Sequence, residues 1–204
     1  DVDALHGSVI IDGSVATYTP TSNYNGDDSF IFAVSDGDLT DTATVTISVA
    51  PVNDAPVLDS VSDILFDEDT SITITLFAND IDNSNLSFSI TDGIDIISSI
   101  NNNEITFTSY NNFNGSEGFT ATVSDGEYTD SKSFTVTVNQ LNDAPVATTG
   151  LSGVTNEDQN IIIALSASDV DGDNITFSLD VDALHGSVII DGSVATYTPT
   201  SNYN

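Results

Sequence analysis

The sequence predicts an all-β protein, a tandem array of antiparallel β-sandwiches. Three observations predict it. The chain repeats itself: residues 1–25 return unchanged as residues 180–204, and "PVNDAPV" at 51–57 returns as "QLNDAPV" at 140–146. A fixed period of this kind marks an array of similar units. Apolar residues alternate with Ser and Thr, the period of half-buried strands, and no stretch carries a helical period. Asp-Gly and Asn-Gly pairs, which tight turns favour, stand between the alternating stretches.

The elements follow in order. Asp12-Gly13 marks the first turn and Asn25-Gly26 the second. "SFIFAVSD" places Phe30, Phe32 and Val34 on one face, and Asp36-Gly37 turns the chain. "TATVTISVA" does the same with Ala43, Val45, Ile47 and Val49. Next come Ile72, Ile74 and Leu76, then Leu86, Phe88 and Ile90. Asn101–Asn103 is the counterpart of Asp12-Gly13, and Ile105 and Phe107 follow it. Phe119, Ala121 and Val123 form the next face, and Phe134, Val136 and Val138 the last. "NYNGDDSFIFAVSDG" at 23–37 returns as "NFNGSEGFTATVSDG" at 112–126, a shift of 89 residues, the same shift as that of the linkers. About seven short strands per repeat is the strand count of an immunoglobulin-like sandwich.

The repeat divides the chain into residues 1–50, the back part of one domain, 51–139, a whole domain, and 140–204, the front part of another. On this reading the chain is a domain pair plus overlap from a longer, nearly periodic protein. A further expectation is that the front part of one molecule completes the back part of another, giving head-to-tail filaments.

The chain holds 32 acidic residues against one basic residue, Lys132, and a net charge of −31. That charge argues against nucleic acid or an anionic membrane as partner. No stretch approaches the length of an apolar membrane span. A compact body so charged repels itself, and multivalent cations would relieve the repulsion. A halophilic or marine surface, with acids serving only solubility, is the alternative. There is no Cys, so a small extracellular domain of this kind lacks disulfide staples, and metal is the obvious replacement.

The acids recur at fixed places. The linkers carry Asn53-Asp54 and Asn142-Asp143. "DED" at 67–69 and "NED" at 156–158 follow them, then "NDIDNSN" at 79–85 and "SDVDGDN" at 168–174. Hairpin tips bear Asp36 and Asp125, and acid pairs precede the long strand at Asp27-Asp28 and Ser116-Glu117. Alternating Asp-x-Asp in a loop turns carboxylates toward one centre, as oxygen-seeking cations require. Asp12 and Asp191 read as turn formers, His6 and His185 as packing or surface residues, and Lys132 as an edge-protecting lysine rather than an isopeptide partner. No nucleophile constellation or phosphate loop is present, so no enzyme is expected.

"SDVDGDNITFSL" and "ATVTISVAPVNDAPV" resemble the cadherin Asp-x-Asp segment and the last cadherin strand entering its calcium linker. The closer resemblance is to the bacterial cadherin-like tandem repeat, in which "NDAPV", "EDT", "DVDGD", "YTPxxNYNGxDSF" and "VSDG" occur in this order. Such repeats build giant surface or secreted RTX-type adhesins. The resemblance implies Greek-key sandwiches joined by short calcium-binding linkers. It implies calcium at the first junction on Asp28 (with Asp27 beside it), Asn53, Asp54, Glu68, Asp80, Asp82, Asn85 and Asp125. At the second it implies Glu117, Asn142, Asp143, Glu157, Asp169, Asp171 and Asn174. Asp36 serves a junction upstream. Pro51 and Gln140 stand where the cadherin linker has Asp, and an extra residue after Asn-Asp is absent, so one or two ions per junction are expected rather than three. "DIDNSN" lacks the third acid of "DVDGD", so the two junctions are expected to differ in affinity.

The function implied is a calcium-stiffened spacer outside the cell, holding an adhesive module away from it in cell adhesion or biofilm formation. The partners are calcium ions and neighbouring repeats. The alternative is that the repeats themselves bind glycan or the same repeat on another cell.

Overall fold

The structure is a computed structural model and describes residues 4–203. Among the described residues every regular element is a strand. The first unit has two hairpins, β1 (Gly7–Asp12) with β2 (Val15–Pro20) and β3 (Gly26–Ser35) with β4 (Thr40–Val49).

The central unit holds β5 (Val57–Leu58), β6 (Ile64–Asp67), β7 (Ser71–Thr75), β8 (Ala78–Asn79) and β9 (Ser87–Ile90). It continues with β10 (Ile96–Asn101), β11 (Glu104–Ser109), β12 (Gly115–Ser124) and β13 (Thr129–Asn139). One sheet has the order β6-β13-β12-β9, with β6 parallel to β13, and the other β10-β11-β7. The two-residue strands β5 and β8 pair separately. Seven strands of four or more residues therefore make the central repeat, as the alternation predicts.

The third unit holds β14 (Val146–Ala147), β15 (Ile161–Ala164), β16 (Ala167–Ser168), β17 (Gly186–Asp191) and β18 (Val194–Pro199). β14 pairs with β16, and the other three form a sheet in the order β15-β18-β17.

Period-two alternation puts one face of each sheet inward, and in the central repeat the two faces meet. Phe107 of β11 lies edge-on to Phe119 of β12 at 5.0 Å and to Phe134 of β13 at 6.1 Å. Three rings thus join the two sheets, and each fully buried ring contributes about 1.5–3 kcal/mol. Ile105, Ala121, Val123, Val136 and Val138 fill the same core. Leu58, Ile64, Phe66 and Ile96 are buried there too, although the alternating pattern does not single them out.

The outward face is hydroxyl-rich and internally bonded across strands: Thr120 with Ser133, Thr122 with Ser131 and Ser116 with Thr137, at 2.8–3.0 Å. Lys132 pairs with Asp130 at 2.8 Å, on the stretch of β13 that β6 does not cover.

Candidate metal centre at the repeat junctions

Each junction is built from an Asx loop and a linker, and the first adds a hairpin tip. In the first, the loop after β8 winds around Asp80, whose Oδ1 accepts from the backbone N–H of Asp82 at 2.8 Å and Asn83 at 2.7 Å. The linker docks on that loop: Asp54 N–H donates to Asp82 Oδ2 at 2.7 Å. Asn83 Nδ2 donates to Asn53 Oδ1 at 2.8 Å, and Asn53 Nδ2 donates to Asp125 Oδ2 at 2.6 Å. Asp125 sits at the β12–β13 tip, where its Oδ1 also accepts from Glu127 and Tyr128 N–H. The Asn53 amide, then those two N–H groups, hold the Asp125 carboxyl below the usual carboxylate range. A cleft of about 470 Å³ opens here, lined by Asn23 of the first unit together with Asp54, Val57, Asp80 and Ile81.

The second junction reuses the frame. Asp169 Oδ1 accepts from Asp171 and Asp173 N–H, and Asp143 N–H donates to Asp171 Oδ2 at 2.6 Å. Gln140 Nε2 donates to Asp171 Oδ1 at 2.9 Å. The Asp143 N–H and the Gln140 amide together lower the Asp171 carboxyl below its ordinary range. Asn142 turns its amide onto Asp143 O. From the other side Glu68 Oε1 accepts from Leu141 N–H at 2.7 Å, while Glu68 N–H donates to Asn139 O.

Several expected residues lie elsewhere. Glu68 is a correction. The resemblance assigns it to the first junction, but it meets the linker of the second, because β6 runs parallel to β13 and delivers Glu68 to the strand's exit. Asp28 and Glu117 hold loops of their own units. Asp28 accepts from Leu5, His6 and Ser29 N–H and from the Tyr18 hydroxyl; Glu117 accepts from Ile94 and Asp95 N–H. Burial of Asp28 opposes ionisation, but the His6, Ser29, Tyr18 and Leu5 donors outweigh it and lower its carboxyl below the ordinary range. Burial and the Asp28 carboxylate push the Tyr18 hydroxyl up to about 12. Asp27 lies in the β3–β4 ladder opposite Ser48, and its backbone carbonyl accepts from the Tyr24 hydroxyl. Asp36 caps its own tip through Leu39 and Asp38 N–H. Asn85, Glu157 and Asn174 are exposed. Asn83 and Gln140, not in the expected ligand set, are the amides that bridge the linkers. For Asn83 the signal was the spacing, three residues past Asp80, the reach of an Asx turn. His6 and His185 stack on Tyr24 and Tyr203 at 4.2 Å, consistent with packing residues.

Among the described residues, no three His, Cys, Asp or Glu side chains converge as a ready-made metal cluster. The carboxylates are held by N–H donors instead. Yet side-chain oxygens are left over. Glu68 Oε2, Asp80 Oδ2 and Asp143 Oδ2 are buried without a hydrogen-bond partner. All three belong to residues expected to bind calcium, and Glu68 is only 1% exposed. A buried carboxylate oxygen without a partner is costly, and a hard cation is the partner such oxygens suit. The donor set, carboxylates and amide carbonyls, fits calcium.

The bacterial Ig domain profile matches residues 1–48, 53–139 and 142–204. The chain belongs to the bacterial Ig domain family. This bacterial Ig chain has cadherin-like neighbours among solved structures. A mouse cadherin-23 fragment (EC22-24) aligns over 99% of this chain and 76% of its own, at 18% identity and a TM-score of 0.51. A protocadherin fragment (PcdhgB3 EC1-4) aligns over 98% of this chain and 57% of its own, at 13% identity and a TM-score of 0.54. At these identities the likeness is one of fold. No curated protein matches the chain. No helix among the described residues is long and apolar enough to cross a membrane.

Proposed function

We propose that this bacterial Ig chain is an extracellular spacer segment of a large adhesin of the RTX type, with calcium bound at its repeat junctions. Residues 1–50, 51–139 and 140–204 are then successive domains of one array. The observation that carries the reading is Glu68: buried at 1% exposure, fixed by Leu141 N–H through one oxygen, with the other unpartnered beside the linker.

At the second junction Glu68, Asp143 and the loop acids Asp169 and Asp171 would hold the ion. At the first, Asp80, Asp54, Asp82 and Asn53 would do so. Calcium takes about 6–8 oxygen ligands, so backbone carbonyls and water complete the shell. When bound, it supplies the positive charge that a chain with one lysine lacks. The residues themselves fix the linker to the loop through Asp54 and Asp143 N–H. Many repeats in series, each about 40 Å long from strands of about ten residues at ~3.3 Å plus their loops, project a terminal binding module.

Calorimetric calcium titration of the chain and of Glu68→Gln tests this. The wild type is expected to bind, and the variant to lose about tenfold or more in affinity at one site, since the ion loses a charged ligand (roughly 1.4 kcal/mol per tenfold). Absence of calcium binding at millimolar concentration would reject the calcium reading.

A further inference from the structure

The two linkers share "NDAPV" but differ in the residue that leads into them: Pro51 in one, Gln140 in the other. That difference changes how the joints hold together. Gln140 immediately follows β13, the last strand of the central repeat, and its Nε2 reaches Asp171 of the next unit at 2.9 Å. Its neighbour Leu141 N–H holds Glu68 of the central repeat at 2.7 Å. Asn139 Nδ2 adds a bond to Asp67 at 3.1 Å, and Asp143 N–H one to Asp171 at 2.6 Å. Asn139, at the end of β13, and the linker residues Gln140, Leu141 and Asp143 thus form a hydrogen-bonded strap from the base of one repeat to the loop of the next. Asp171 is the pivot: Gln140 holds one of its oxygens and Asp143 the other.

The two joints share the bond from linker N–H to loop carboxylate, Asp54 to Asp82 and Asp143 to Asp171, but the first has no counterpart of the Gln140 bond. Pro51 has no side-chain donor and no N–H. The amide relay found there, Asn83 to Asn53 to Asp125, joins the loop, linker and tip of the central repeat alone. It fixes the linker to the downstream unit, as the Asp143–Asp171 bond does at the second joint.

We infer that Gln140 is a positioning residue that braces the second joint without calcium, and that joints led by Pro and by Gln therefore alternate in their dependence on the ion. The contrast with calcium rests on the function proposed above; the brace does not. An array with such alternation keeps its Gln-led joints ordered in calcium-poor surroundings and bends at its Pro-led joints.

Electron-spin distance measurements on the full chain test it, helped by the absence of native cysteine. Spin labels go on cysteines replacing exposed Thr135 and Ser187, across the second joint, or Thr44 and Ser99, across the first. In chelator a narrow distance distribution is expected across the second joint and a broad one across the first. Calcium should narrow the first. Gln140→Ala should abolish the narrow distribution of the second in chelator. Pro51→Gln, which places an amide opposite Asp82, should narrow the first in chelator. If Gln140→Ala leaves the second joint unchanged in chelator, the brace is overturned, whatever calcium does. If calcium alters neither joint while Gln140→Ala still broadens the second, the calcium reading fails and the brace stands.

Discussion

The same peptide appears twice in this molecule, and its two copies separate what a segment dictates from what its neighbours dictate. Residues 7–20 and 186–199 form the same hairpin in the same register, Val9 opposite Tyr18 and Val188 opposite Tyr197. Both close on a glycine with positive φ, Gly13 at 62° and Gly192 at 57°, and both stack His on Tyr at 4.2 Å. Turn chemistry and pairing are therefore local. Burial is not. Val15 is 63% exposed in the first copy, and Val194 is 38% exposed in the second. The difference comes from β15, which pairs with β18 and covers it, whereas β2 pairs with β1 alone. The tyrosine hydroxyls differ too: Tyr18 donates to Asp28, and Tyr197 donates only to the His185 carbonyl.

The central repeat extends the comparison, because Phe107 holds the place of Tyr18 and Tyr197 one repeat on. It is fully buried at the ring cluster. Phe107→Ala should have the largest effect, a loss of about 3–5 kcal/mol measured by chemical denaturation. Tyr197→Ala, at the same strand position on a less covered sheet, should lose much less. Equal losses would mean that the hairpin carries its stability locally, against the comparison.

The carboxylate opposite this position changes with it. Where the ring is Tyr18, the shorter Asp28 accepts its hydroxyl; where it is Phe107, the longer Glu117 occupies the place and reaches only backbone N–H groups. Glu117→Gln keeps the shape but lets only one oxygen accept. It should cost about 1 kcal/mol in denaturant unfolding, the scale of one hydrogen bond to a charged group left weaker. A variant as stable as wild type would remove Glu117 from the loop's support.

These places show how far the sequence could be read. Alternation of Phe119, Ala121 and Val123 against Ser and Thr was enough for the sandwich, because pleat and burial share a period of two. Leu58 and Ile64 were harder to read: β5 is two residues long and β6 four, too short to display a period. The site was legible as motifs and less so as pairings. Asp80, Asp82 and Asn53 gather because their spacing within one loop and linker is local. Glu68 went to the other junction because a parallel pairing with β13, a long-range event, decides where it ends. Asp28 and Glu117 were expected as ligands from the resemblance; in the structure Asp28 accepts from loop N–H groups and the Tyr18 hydroxyl, and Glu117 from loop N–H groups. Asn83 and Gln140 carry no charge, and a reading led by acids passes over them.

The smallest effect expected is on acidity, and it separates the two hairpin tips. Asp36 and Asp125 both cap their turns through Oδ1, and both carboxyls lie below the ordinary range, Asp36 through Leu39 and Asp38 N–H and Asp125 first through Asn53. A carboxyl whose folded pKa is lowered stabilises the fold above its unfolded value, near 4, and that contribution fades as pH falls through the folded value. Both tips should therefore loosen only under acid. Asp125 has an additional partner in the linker, so its protonation releases Asn53 as well as the turn. Hydrogen exchange followed from pH 6 down to about 3 should show linker residues 53–54 deprotecting together with the 125–128 tip, while the 36–39 tip opens without any linker response. In Asn53→Ala the coupling should vanish and the Asp125 tip should behave like that of Asp36. If linker and tip deprotect independently in the wild type, the Asn53–Asp125 bond does not tie the linker to the tip, and the first joint is set by Asp82 and Asn83 alone.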